Sequence, residues 1–99
     1  MTKHLDSKSF SQHLHTTFQV HVPESGPLPL ELIEVIEYND QPKLEQFCLI
    51  FRGPRDPWLS QNIHSIEHEA LGKIELFMVP LGPDEKGMRY QVIFNRFRK

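Results

Sequence analysis

Two β-patterned runs flanking one turn cluster, between Leu71 and Phe97, constrain this chain more than any other stretch. In the first run Ile74, Leu76 and Met78 share one face and Phe77 and Val79 the other. In the second, Met88, Tyr90, Val92 and Phe94 alternate with Arg89, Gln91 and Asn95. Between them lie Gly82, Pro83, Asp84 and Gly87, with Glu85 and Lys86 adding charge, so an antiparallel hairpin with a solvated connection of about five residues is expected. Both arms can cover a core.

The rest of the chain supplies strands for that hairpin to join. Thr16 to Val22 alternates Phe18, Val20 and Val22 against Thr17, Gln19 and His21, the pattern of a half-buried strand, and stops at the turn cluster Pro23 to Pro27. Leu28 to Tyr38 carries Glu31, Glu34 and Glu37 at a helix-like spacing. Pro29 and the β-branched Ile33, Val35 and Ile36 favour a strand instead, with a bulge near Leu32 or Ile33 where the alternation changes face. After a turn at Asn39 to Pro42, Leu44 to Arg52 contains Phe47, Cys48, Leu49, Ile50 and Phe51 without a polar break. That is expected of a central strand covered on both faces. Gly53 to Trp58 reads as a rigid loop with Trp58 plugging an edge of the core, and Gln61 to Glu69 as a polar strand anchored by Ile63 and Ile66. Ahead of all these, residues 1–4 are expected to fray. A short helix from Ser7 to Leu14, capped by Asp6 or Ser7 and stapled by Leu5, would lay Phe10 and Leu14 on the sheet.

The fold class that follows is mainly β: about six antiparallel strands in a small barrel or sandwich, with one short N-terminal helix. Its 99 residues make a single domain, and seven Phe, two Tyr and one Trp make the core aromatic-rich. Phe47, Leu49, Phe51, Leu76, Phe77, Tyr90 and Val92 are its expected members. A lone cysteine, Cys48, excludes an intrachain disulfide and suits a reducing compartment. With no apolar run of signal-peptide or membrane-spanning length, the expected location is cytoplasmic, or within a particle assembled without a signal peptide.

Phe51-Arg52-Gly53-Pro54, His68-Glu69-Ala70-Leu71-Gly72, and Glu75-Leu76-Phe77-Met78-Val79-Pro80 with Gly82-Pro83 occur in that order, followed by Tyr90 to Asn95. In this the chain resembles a small bacterial and phage-related domain family of unknown function, marked by an RGP loop, a HPALG-type turn and an ELF-VP-GP hairpin. The resemblance runs from Phe10 onward. Glu69 stands where that pattern commonly has proline, which leaves the turn less rigid. The resemblance implies a place in a phage-tail-like assembly and implies no reaction or catalytic residue.

No constellation in the sequence reads as a catalytic set. Six histidines invite a metal, because imidazole is the commonest metal ligand near neutral pH. However, His64 and His68 on a strand stand roughly 13 Å apart, too far to share one ion. Cys48 lies in an apolar run without a neighbouring base. Gly82 to Gly87 has two acids and a proline where a phosphate cradle needs free N–H groups. The net charge of −2 argues against nucleic acid and acidic membranes, although Arg89, Arg96, Arg98 and Lys99 with Phe94 and Phe97 form a basic, aromatic ending. Residues 28–50 carry five acids against one lysine and residues 73–99 six basic residues against three acids, an asymmetry suited to homo-oligomerisation as well as to contacts within one molecule.

The expectation is therefore a non-enzymatic structural or interaction module, with a protein partner and without a cofactor. Its contact surface would be a sheet edge or the Arg52 to Trp58 loop, where Arg52, Arg55 and Trp58 are residue types enriched at interface hot spots. The alternative is a small metal-dependent hydrolase using His64, Glu67 and His68.

Overall fold

The structure is a computed structural model that describes residues 7–22, 26–38, 44–56 and 58–97. The expected fraying of residues 1–4, the Asp6 cap, the Leu5 staple, the turns at 23–25 and 39–42, and the basic residues Arg98 and Lys99 lie outside these. Helix α1 (Ser7–Ser11) precedes six strands: β1 (Thr17–Val22), β2 (Gly26–Tyr38), β3 (Leu44–Gly53), β4 (Asn62–His68), β5 (Gly72–Asp84) and β6 (Gly87–Phe97). Every pairing is antiparallel and the ring closes in the order β1-β2-β3-β6-β5-β4, so of barrel and sandwich the chain forms the barrel.

Two three-stranded meanders, β1-β2-β3 and β4-β5-β6, meet along two seams of unequal length. The β3–β6 seam pairs ten positions, from Leu44↔Phe97 to Gly53↔Met88, whereas the β1–β4 seam pairs only Gln19↔Glu67 and Val20↔Ile66. The long seam follows from β3, whose Phe47, Leu49 and Phe51 point into the barrel while the outward Cys48 and Ile50 are also buried, Cys48 between Ile36 and Ile93 on the neighbouring strands. The expected bulge in β2 falls between Leu32 and Glu34.

The interior is aromatic, as its composition requires. Phe18 meets Phe51 edge-on at 5.3 Å between ring centroids, and Phe47 stacks on Phe94 at 4.5 Å. α1 adds Phe10, wholly buried against that stack; burying such a side chain stabilises by about 1.5–3 kcal/mol, more than so short a helix could supply from its own hydrogen bonds.

Four expectations need correction. The helix stops at Ser11 rather than Leu14: His13 and Leu14 bond to Phe10 and Ser11, three residues back, and His15 takes a φ of 65° and donates its N–H to Leu32 of β2 at 2.7 Å. The hairpin connection is two residues, Glu85 and Lys86, because Gly82 and Pro83 stay in β5 beside a bulge between Pro80 and Gly82. Phe77 is 51% exposed and Ile63 62%, so neither belongs to the core; they are paired neighbours on the outer face, and the inward positions of those strands are Leu76, Met78 and Ile66. Trp58 is exposed, and the residue that plugs the core is Leu59, whose N–H donates to the buried Tyr90 hydroxyl at 2.8 Å.

Candidate functional site

The tip of the β5–β6 hairpin is organised by Asp84. Its Oδ1 accepts from the N–H groups of Lys86 and Gly87, both at 2.9 Å, which closes the two-residue turn. Gly87 is required there, since its φ is 155° and a Cβ would run into the Gly53 carbonyl across the β3–β6 seam. With Oδ1 committed to the turn, Oδ2 is left facing β3.

Two arginines face each other at that place: Arg52 of β3 and Arg89 of β6 are directly paired in register. Like charges so placed repel, and Asp84 Oδ2 offsets this by accepting from Arg52 Nη2 at 2.7 Å and Nε at 3.2 Å, with Arg89 Nε 3.8 Å away. The hydrogen bonds from Arg52, joined by those from the Lys86 and Gly87 amides, pull the Asp84 carboxyl down to about 2. Arg55 adds a third guanidinium, donating from Nε to the Asp84 backbone carbonyl at 3.1 Å and from Nη2 to the same oxygen.

Arg52 pairs with Asp84 although Glu31 is its register neighbour on β2. Arg55, by contrast, is tied to the Asp84 main chain. Trp58 makes no hydrogen bond or ring stack among the described residues and stands 55% exposed. Arg52, Glu31 and Lys86 also line two adjoining hollows. One of about 270 Å³ is completed by Thr17, Pro29, Leu30, Gly53 and Pro54, and one of about 520 Å³ by His15 and Ile33. Within them Glu31 accompanies His15 at 3.3 Å, and the Lys86 ammonium has no ion pair among the described residues.

Among the described residues the histidines do not form a metal-binding set. His64 and His68 are both on β4, but His64 Nε2 lies 2.8 Å from the Ser60 carbonyl, while Glu67 projects from the opposite face to His21 at 2.9 Å. Among the described residues no group of three His, Cys, Asp or Glu side chains converges on a point where an ion could sit. Cys48 is wholly buried, and desolvation there raises its thiol pKa, the reverse of what a nucleophile needs. Among the described residues no helix is long and apolar enough to cross a membrane.

A family model described as a domain of unknown function, DUF6916, matches residues 5–94, which takes in α1, β1 to β5 and most of β6. The chain belongs to that family. No curated protein and no solved structure matches it. In this DUF6916 domain the RGP segment and the β5–β6 hairpin tip, far apart in sequence, form one corner, because Gly53 pairs with Met88 and Arg52 with Arg89.

Two features of the domain are not legible locally in the sequence. Asp84 reads there only as a turn residue, and nothing local shows that it also neutralises two arginines from other strands. His68 reads as a candidate metal ligand, yet it is a buried connector. Its Nδ1 accepts from the Ala70 and Leu71 amides at 3.0 and 3.3 Å, and its Nε2 lies 3.0 Å from Thr16 Oγ1. The signal for that role was the short interval between His68 and Gly72, a turn with a polar side chain at its head.

Proposed function

We propose that this domain is a non-enzymatic interaction module, and that the corner formed by Arg52, Arg55, Lys86, Arg89 and Trp58 receives an acidic segment of a partner protein. The observation that carries the reading is the collection of three arginines about Asp84, Arg52 and Arg89 at its carboxylate and Arg55 at its backbone carbonyl, with the exposed Lys86 in the same turn and an exposed tryptophan beside them. Asp84 is held ionised by its donors, so the corner keeps a positive excess, and the hollows beside it supply room for a carboxylate next to Lys86. Arginine and tryptophan are the types that most often carry binding energy, and a segment anchored by Leu59 loses little entropy on docking. The closed ring supports the loop over a sheet edge, because strands bonded on both sides offer short edges at most. The resemblance of its motifs to a phage-related family favours a phage-tail-like particle as the assembly served.

The test is affinity capture from the native host with the full chain, followed by Trp58→Ala and Lys86→Glu. Both residues are exposed, and neither has a side-chain partner among the described residues, so the fold should be unchanged. Loss of a captured partner by about tenfold or more in Kd for either variant supports the corner as the contact surface. Unchanged affinity in both would place the interaction elsewhere on the barrel.

A further inference from the structure

Besides the Cys48 thiol and the Tyr90 hydroxyl, His68 is the buried polar side chain among the described residues, only 7% exposed, and it sits at the short seam of the ring. Its hydrogen bonds fix its protonation. Thr16 Oγ1 has a single proton and gives it to the His13 carbonyl at 2.6 Å, so toward His68 the hydroxyl can only accept, and Nε2 must carry hydrogen. Nδ1 then has a bare lone pair, which takes the N–H groups of Ala70 and Leu71. This neutral imidazole is complete on both sides. It joins the entry to β1, through Thr16, to the β4–β5 turn, across a seam that has only two paired positions of its own.

We propose that the β1–β4 seam is a proton-operated closure: a proton added to Nδ1 of His68 turns the acceptor of the 69–71 turn into a donor, releases that turn, and opens the seam. The imidazolium would point an N–H at two amide N–H groups, and its charge would lie among apolar and aromatic neighbours. The Phe18 ring centroid is 4.4 Å away and the His13 ring 4.6 Å away. Burial, the largest cause, and the neighbouring His13 together hold the His68 pKa below its ordinary value, against Glu69, which raises it. On the outer side of the seam the titratable groups are His21 and Glu67, 2.9 Å apart. Both of those side chains are nearly half exposed, and such pairs contribute little. Because the closed form prefers neutral His68, its contribution is whole above the unfolded pKa of about 6.5 and is lost as pH falls below that value. An open seam would give the barrel two strand edges that the closed ring withholds.

Amide hydrogen exchange by NMR on the intact chain tests this, with protection factors for those amides of Gln19, Val20, Ile66 and Glu67 that bond across the seam followed from about pH 7.5 to 4.5 beside the titration of the His68 ring. The expected result is that these amides exchange through an opening distinct from, and easier than, that of Leu49 and Phe51. Their protection should fall progressively from about pH 6.5 and level off at the pH where the folded His68 ring titrates, by about tenfold for each unit by which the His68 pKa lies below about 6.5. His68→Asn, which keeps a side-chain acceptor for the turn and cannot titrate, should abolish the fall; should that variant fail to fold, the comparison of seam and β3 amides in the unaltered chain decides. Equal protection at seam and β3 at every pH, a seam unresponsive across the His68 titration, or a fall that persists in His68→Asn would each overturn the proposal.

Discussion

Replacing Tyr90 by Phe separates a hydrogen bond from the packing around it. Tyr90 is wholly buried and its ring touches the β3–β6 seam near Gly53, so phenylalanine fills the same space and leaves no cavity of consequence. What disappears is the acceptor of the Leu59 N–H at 2.8 Å. Leu59 is only 4% exposed, so its amide is left without a partner where water does not reach, and an orphaned buried donor costs about 1–3 kcal/mol. With a urea slope of about 1–3 kcal/mol/M, the unfolding midpoint should fall by about 1 M with the slope unchanged. The Leu59 amide should lose its exchange protection in the same variant. Since Leu59 anchors the segment that carries Arg55 and Trp58, partner affinity at that corner should also weaken, although Tyr90 touches no partner. A loss below about 0.5 kcal/mol with Leu59 still protected would mean that another acceptor serves this amide, and the loop would not depend on Tyr90.

Phe51→Ala should cost about 3–5 kcal/mol in urea unfolding, while Phe77→Ala, at a half-exposed outer position, should stay within about 1 kcal/mol; equal losses would reverse their assigned faces. Asp84, with its carboxyl lowered to about 2 by Arg52 and the turn amides, stabilises the fold above the unfolded value of 3.8 and ceases to do so as pH falls toward 2. Asp84→Asn should therefore flatten the acid limb of the stability curve in that window, and an unchanged limb would remove Asp84 from the corner. Cys48 should resist a thiol reagent in the native state and react on unfolding in urea, since it is wholly buried and desolvation raises its pKa; rapid native labelling would show that the outer face of β3 is open.

How much of this domain was legible in its sequence depended on the range of the interaction involved. Strand existence was legible throughout, because alternation such as Phe18, Val20 and Val22 repeats with the two-residue period of the backbone itself. Even the β2 bulge was visible as a change of face. The aromatic core and the central place of β3 followed from composition and from an unbroken apolar run. Where both faces of a strand carried apolar residues, as with Leu76 and Phe77, the period could not say which face was inward. Closure of the ring decided it. The same limit hid the site. Arg52, Arg55 and Trp58 could be singled out by residue type, but their partner Asp84 lies 32 residues beyond Arg52, and Thr16 lies 52 residues before His68. Local patterning acts through a few neighbouring residues and can be read along the chain, whereas a charge or a hydrogen bond is satisfied by whatever the register brings beside it. That register exists only once six strands have closed on one another.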